Sequence, residues 1–294
     1  MEQVKKDETK DVVLVDIYNL IYRAYHGNMS NLKSPDGTPT AALFTVIKML
    51  KKLPQQFSNL EFSLAIFDGG GTNFRKELDG EYKANRKPMP DDLIIQMPLI
   101  KEAMKLMGWP MHQAHDVEAD DVISTLAVRA ASKGYKVYIV SGDKDFRQIV
   151  SSNISVIDTM YDVLYDREKV TEKMGVPPEQ VRDYLALCGD GADNVKGVDK
   201  AGPKTVVKWL TQFGDIDGII AHKDEIKGVV GENLRKEIDN GNVALWRQLV
   251  TVKSDVDIQL KRSELTMQPE DSEGLQEFYK KMDFKSLMRK SPQP

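Results

Sequence analysis

The sequence predicts an α/β fold: a mainly parallel central sheet flanked by helices, with a helical region after it. Three observations predict it. Near-continuous apolar runs recur, of the kind that parallel strands buried on both faces require. Helical patterns alternate with those runs, the order of a parallel sheet built from strand–helix–strand units. Beyond residue 175 the texture changes to short helices joined by Gly- and Pro-bearing turns.

The elements follow in chain order. The hydrophilic "MEQVKKDETK" reads as a disordered tail over residues 1–10, without a signal-like apolar core. "DVVLVD" (11–16) is a strand ending on Asp16, and "TAALFTVIKMLKKL" (40–53) is a helix. "FSLAIFD" (62–68) is a strand ending on Asp68. "DLIIQMPLIKEAMKLMG" (92–108) is a helix in which Pro98 lies near one end or makes a kink. "ADDVISTLAVRAASKG" (119–134) is a helix, and "YKVYIVSGD" (135–143) is a strand with Asp143 just past its end. These elements make an α/β domain over residues 11–176. "PPEQVRDYLALCGD" (177–190) opens a helical region, 177–260, with prolines suited to a helix N-terminus. "GDGADNVKGVDKAGPKTVVKWLTQFG" (189–214) is a Gly-rich turn leading into an amphipathic helix. Residues 261–294 form a charged, weakly patterned extension, with a helix at 269–282 and then a loose tail.

Composition narrows the function. The 294 residues are 41% hydrophobic and 29% charged, as in ordinary soluble chains, and no apolar stretch approaches a membrane span. Cys188 is the only cysteine, so intrachain disulfides and thiolate zinc sites are excluded and a reducing compartment is expected. "HQAHD" (112–116) offers two histidines but no third soft ligand, against zinc. The net charge of −4 argues at first against a nucleic-acid partner.

The placement of acids weakens that objection. In open α/β sheets the ligand crevice lies beyond the carboxyl ends of the strands. Asp16, Asp68 and Asp143 all point there. "DVEADDVI" (116–123) adds Glu118, Asp120 and Asp121 at a helix start. Acids in that position either cap free N–H groups and complement the helix dipole, or bind a cation. Glu118 and Asp121 share a helix face, and two carboxylates about 5 Å apart repel by roughly 3 kcal/mol at an effective dielectric of 20. Asp145 in "SGDKD" and Asp190 and Asp193 in "GDGAD" lie near. Three strands delivering acids to one edge, beside such a helix start, read as a cation site. Clustered carboxylates without His or Cys suit Mg²⁺ or Mn²⁺. Two such ions about 4 Å apart stabilise both the attacking and leaving oxygens of an in-line phosphoryl displacement.

"LVDIYNLIYRAYH", "FDGGGTNFRKELDGEYKANRKPMPDDL", "EADDVI", "SGDKDFRQIV" and "LCGDGADNVKGV" with "GPKT" occur together and in order. In these motifs the chain resembles the 5′-nuclease family of flap endonucleases and 5′–3′ exonucleases, to which the nuclease module of bacterial DNA polymerase I belongs. The resemblance covers residues 11–260 and looks like a free-standing member of a bacterial or phage-infected cell's cytoplasm. It implies a first metal site of Asp16, Asp68, Glu118 and Asp120, with Asp121 and Asp143 close by. It implies a second of Asp145, Asp190 and Asp193, shared by Asp143. It also implies a helical arch over about 76–108, a helix–three-turn–helix element on duplex DNA, and K⁺ as a candidate ligand of that element's turn. Lys83 and Arg86 would act on the scissile phosphate. Arg23, Arg75, Tyr82, Lys196, Lys200, Gly202, Lys204 and Thr205 would bind DNA, with stacking and packing both open for Tyr82. The expected partner of this presumed monomer is DNA with 5′ ends or flaps, with RNA primers as a second candidate. Without the nine acids the rest of the chain carries +5 against the overall −4, so basic patches can still meet phosphates.

Two positions depart from the family pattern. Ile17 follows Asp16 where glycine is usual and is expected to crowd the strand end. Lys200–Ala201–Gly202 replaces a G-x-G turn, and a Lys at φ > 0 would be strained by about 1 kcal/mol. Three rival readings are a non-catalytic module for branched DNA, a metal-dependent ribonuclease, and a phosphatase with a D-x-D nucleophile. The first needs missing acids. Ribonucleases of this sheet type are usually about half as long. The third needs an Asp where Tyr18 stands.

Overall fold

The computed structural model describes residues 9–27, 31–71 and 73–288. The expected tail, apart from Thr9 and Lys10, and residues 289–294 lie outside the described residues. Six strands form one sheet: β1 (Asp11–Asp16), β2 (Leu60–Phe67), β3 (Met111–Gln113), β4 (Lys136–Val140), β5 (Ile154–Asp158) and β6 (Val163–Tyr165). Their order is β3-β2-β1-β4-β5-β6. All pairs are parallel except β5 with β6. The chain first builds outward from β1 through β2 to β3, then returns to β4 on the other side. The order therefore reverses between β1 and β4, which is where a doubly wound sheet opens a crevice.

Helices cover both faces: α1 (Ile17–Gly27), α2 (Ala41–Lys52), α3 (Phe74–Leu78), α4 (Asp91–Ile94), α5 (Gln96–Leu106) and α6 (Ala119–Ala131). Strand alternation assigns the faces. Val13 and Val15 of β1 pack with α1, α2 and α5. Val12 and Leu14 pack on the other face with Val122, Ile123 and Ala127 of α6. The segment expected as one helix over 92–108 is two, parted at Ile95. Pro98 is the third residue of α5, within the first turn, where its missing N–H costs little.

The second region comprises α7 (Arg167–Met174), α8 (Pro178–Cys188), α9 (Pro203–Phe213), α10 (Ile216–Ala221), α11 (Gly228–Asp239) and α12 (Asn242–Val250). Its apolar residues join those of the α6 face in one core. The segment 261–288, expected as an extension, returns to the α/β layer. Its helix α13 (Ser272–Lys281) sends Leu275, Phe278 and Tyr279 into the core shared by α2 and α5. Ser63 N–H of β2 donates to Leu265 C=O, which ties the segment to the sheet. Its period-3.6 apolar residues are diluted by charge, so its burial was hard to read locally. No described helix is long and apolar enough to cross a membrane.

Candidate active site

Four acids converge at the crevice. Asp16 closes β1, and its carboxylate accepts Asn19 N–H (3.2 Å) and Ser141 Oγ–H (2.8 Å). The second bond joins β1 to the end of β4 across the reversal point. Asp68 follows β2, Asp143 follows β4, and Asp120 projects from the first turn of α6. They line one cleft of about 460 Å³ with Tyr18, Tyr22, Lys83 and Arg86. Burial pushes the Asp16 carboxyl up to about 7, with the charges of Asp143 and Asp68 adding. Burial, then Asp143 and Asp16, raises Asp120 well above the carboxylate range. Burial also raises Asp143.

Glu118 at the head of α6 does not serve as its cap. The helix's leading N–H, on Ala119, is capped by Asp68 Oδ1 at 2.8 Å, from another strand altogether. Glu118, at the capping position, makes no cap bond. Its carboxylate is spent elsewhere.

A second group lies beside the first. One oxygen from each of Asp145, Asp190 and Asp193 comes within 4.8 Å of the others. Asp145 Oδ1 is buried without a hydrogen-bond partner among the described residues. Burial, then Asp143, Asp193 and Asp190, raises its carboxyl well above the usual range. A buried, unpaired acceptor among like charges is costly unless a cation meets it. An all-oxygen donor set of this kind fits a hard divalent ion. Asp190 and Asp193 stand in a turn that "CGDGADNVKG" dictates. Gly189 and Gly197 both adopt positive φ, and a Cβ on either would fall within 2.4 Å of backbone.

The site is closed by a contact between two turns distant in sequence. Lys83 N–H donates to Asp193 C=O (3.1 Å), Asn85 Nδ2 to Gly191 C=O (2.7 Å), and Asn194 Nδ2 to Glu81 C=O (2.7 Å). Both Lys83 (φ 56°) and Asn194 (φ 60°) take left-handed backbone to fit. The contact sets Lys83 Nζ 2.6 Å from Glu118 Oε1 and 3.7 Å from Asp193 Oδ2, and Arg86 Nη2 2.7 Å from Asp193 Oδ1. Burial alone would lower the Lys83 ammonium's pKa, but Glu118 and Asp193 outweigh it and raise it. Lys83 is therefore a fixed cation over the acids. Residues 79–90, within the expected arch, are turns and extended chain held on this contact, and α4 and α5 follow.

Several expectations need correction. Arg75, expected on DNA, is 2% exposed and grips Glu118 and Asp121. A basic run reads as surface, yet two carboxylates 43 and 46 residues away reach this guanidinium. Asp121, expected by a metal, is fully buried and paired with it. Glu118 and Asp121 do share a helix face, as their spacing predicts, but that face looks at Arg75, while Asp120 looks into the cleft. Glu118 itself is occupied by Arg75, Asn73, Lys83 and Tyr82. Tyr82 packs rather than stacks: it is 3% exposed, with its hydroxyl 2.8 Å from Asp193 Oδ2. Ile17 does not crowd the crevice, because its side chain is buried in the core on the α1–α2 face.

The remaining expected DNA contacts are accessible. Lys196, Lys200, Gly202 and Lys204 are exposed, and Thr205 is half-buried in the first turn of α9. Gly202 caps α9 without a side-chain bond, Pro203 has no N–H, and Thr205 and Val206 N–H donate to Gly202 C=O. Lys200 has φ +64°, the left-handed value anticipated for that turn. Arg23 is half-buried on α1, near Asp158 and Asp162. Ser141 and Asn19, which orient Asp16 and the loop at Gly142, were not singled out from sequence. The "SGD" context was the available signal.

Comparison with known proteins follows the same division of the chain. Residues 11–175 match the 5′-3′ exonuclease N-terminal resolvase-like domain, and residues 176–273 match the 5′-3′ exonuclease C-terminal SAM fold. The 5′-3′ exonuclease of Aquifex aeolicus (strain VF5) is 33% identical over 95% of this chain and 94% of the relative. DNA polymerase I of Rhizobium leguminosarum is 37% identical over 94% of this chain but only 28% of the relative, so the chain spans under a third of that protein. Among solved structures, zinc-bound T5 5′-exonuclease superposes with a TM-score of 0.67 at 23% identity, covering 82% of this chain and 89% of that one. The catalytic core of Rad2 in complex with DNA substrate gives 0.58 at 16% identity, over 97% and 94%. These two show a shared fold.

Proposed function

The chain belongs to the 5′–3′ exonuclease family, and on that premise we propose that it is a 5′–3′ exonuclease and 5′-flap endonuclease that hydrolyses DNA phosphodiesters. The observation that carries this reading is the pair of adjoining carboxylate groups at the sheet's reversal point, overhung by two fixed cations. Asp16, Asp68, Asp120 and Asp143 would hold one Mg²⁺ or Mn²⁺, and Asp145, Asp190 and Asp193 a second. Glu118 is reassigned to orienting Lys83 and Asn73 at the edge of the first group. Two bound ions would supply charge stabilisation to the attacking and leaving oxygens.

The chain's own residues supply the rest. Arg86, with half of its side chain exposed, is free to take a phosphate oxygen while keeping its bond to Asp193. Lys83, 11% exposed and braced by two carboxylates, offsets charge that grows on the phosphate as the displacement proceeds. Both project from a turn whose backbone is hydrogen-bonded to the second acid group, so their reach is set before substrate arrives. Duplex backbone would lie along Lys196, Lys200, Lys204 and the N-terminus of α9, and K⁺ would bind the carbonyls of that turn. The protein would act as a monomer in the cytoplasm of a bacterial or phage-infected cell.

The test is a 5′-labelled flap duplex incubated with Mg²⁺ or with chelator, product lengths being read on a gel. Cleavage near the flap base in Mg²⁺ alone is expected. Binding without cleavage would establish the non-catalytic module instead. Preferential cutting of an all-RNA strand would establish the ribonuclease.

A further inference from the structure

Five residues spanning the C-terminus of α12, Leu249–Lys253, bond to side chains that reach the surroundings of both acid groups, and their polar backbone atoms alternate in destination. Leu249 C=O accepts Arg75 Nε–H (2.8 Å) and Thr251 C=O accepts Arg75 Nη2–H (2.5 Å). Lys253 N–H donates to Asp121 Oδ1 (2.8 Å). The even-numbered residues turn the other way. Val250 C=O accepts Gln148 Nε2–H (2.9 Å), and Val252 N–H donates to Gln148 Oε1 (3.2 Å). Gln148 also donates to Asp145 C=O (2.8 Å). One side of the strap is thus read by Arg75, which holds Glu118. The other is read by Gln148, which holds the backbone of Asp145.

Part of this is helix capping, since the last carbonyls of α12 need partners and favour a cation. Capping alone does not account for the rest. All five N–H groups of Arg75 find acceptors: two strap carbonyls, both oxygens of Asp121, and Glu118 Oε2. A cap would not need a side chain that also reaches the acid beside each group. Leu249 and Val250 close α12 and Thr251 is its C-cap, so the two readers together fix where the helix ends and how the chain leaves it.

We infer that Arg75 and Gln148 are positioning residues, and that the strap Leu249–Lys253 sets the helical region in register with both acid groups. This rests on the nuclease reading above. The proposed duplex-binding turn, α9, Asp190 and Asp193 belong to the helical region, whereas Asp16, Asp68 and Asp143 follow strands of the sheet and Asp120 opens α6. Their relative placement decides which phosphodiester meets the acids. Loosening the strap therefore weakens divalent-ion binding and blurs the position of the cut, without weakening the grip on duplex.

The experiment uses the full chain carrying Gln148→Ala or Arg75→Lys. Melting curves establish folding. Mg²⁺ binding is measured by calorimetry without DNA, duplex affinity in chelator, and cut positions on the flap substrate. Expected are duplex affinity within about twofold of wild type, Mg²⁺ affinity lowered by roughly 10–100-fold, the range for loss of a residue that orients a ligand, and products spread to neighbouring nucleotides. Arg75→Lys keeps the charge but not the five-donor fork, so full rescue by lysine overturns the inference. Unchanged Mg²⁺ affinity and sharp cutting in a folded Gln148→Ala protein also overturn it. So does unfolding of both variants, which would make the strap a fold determinant only. If the wild-type chain cuts no flap substrate, the nuclease reading fails separately, while the Mg²⁺ measurement still judges the strap.

Discussion

Lys200→Gly tests the backbone strain held at an exposed position in the turn before α9. Lys200 holds φ +64° in the turn before α9 and is exposed. Left-handed backbone costs an L-residue about 1–2 kcal/mol, and glycine adopts it freely. Glycine also loosens the unfolded chain, which costs about 0.4–1 kcal/mol. The balance runs from about zero to 1.6 kcal/mol in favour of the variant. For a chain of this size 1 kcal/mol moves Tm by about 2–4 °C, so calorimetry should find Tm unchanged or raised by a few degrees. Duplex affinity, read by fluorescence anisotropy across a salt series, should be equal or better despite the lost cation. Lys200→Ala serves as the control: it loses the same charge but keeps the strained φ. A lower Tm in the glycine variant would refute the strain argument. At unchanged stability, weaker binding with a salt slope reduced by about one unit would show that Lys200 neutralises a phosphate.

Asp143→Asn and Asp193→Asn should each abolish cleavage while duplex binding persists or tightens, as gel shifts with the flap substrate would show; unfolding of both would make these acids structural. Lys83→Ala should slow single-turnover cleavage at saturating enzyme by at least about 100-fold with a much smaller change in affinity, whereas recovery of the wild-type rate at saturation would reduce Lys83 to a docking contact. Mg²⁺ affinity without DNA should fall as pH drops through about 7, because the buried Asp16 carboxyl then takes a proton that a cation must displace. The same raised pKa works on folding with a defined sign. Between the unfolded carboxyl range near 4 and about 7 the native state holds the extra proton, so stability of the metal-free protein should decline as pH rises across that window. A flat Tm in chelator from pH 5 to 8 would count against this.

The sheet and its acids were legible because each signal was local. Apolar runs ending on Asp16 and Asp68, or just short of Asp143, carry strand, burial and direction in a few residues. Asp145, Asp190 and Asp193 were likewise legible as a set once the motifs were read together. Arg75 was misread, and the partners of Asp121 and Tyr82 were not foreseen, for a common reason. Their environment is made by partners distant in sequence, and an arginine in "FRKEL" gives no local sign that it is buried. Gln148 and the strap passed unnoticed because their bonds are to backbone, which leaves no trace in side-chain pattern. The burial of α13 was hidden by charge on its other face.

The contacts that complete the site span the chain. Arg75 meets Leu249 and Thr251 across 174 and 176 residues, and Arg86 meets Asp193 across 107. Such distant pairings form late, after local structure is in place. A nascent polypeptide would therefore present the turn before α9 earlier than Leu249–Lys253, and Arg75 would wait for its last acceptors until those residues are made.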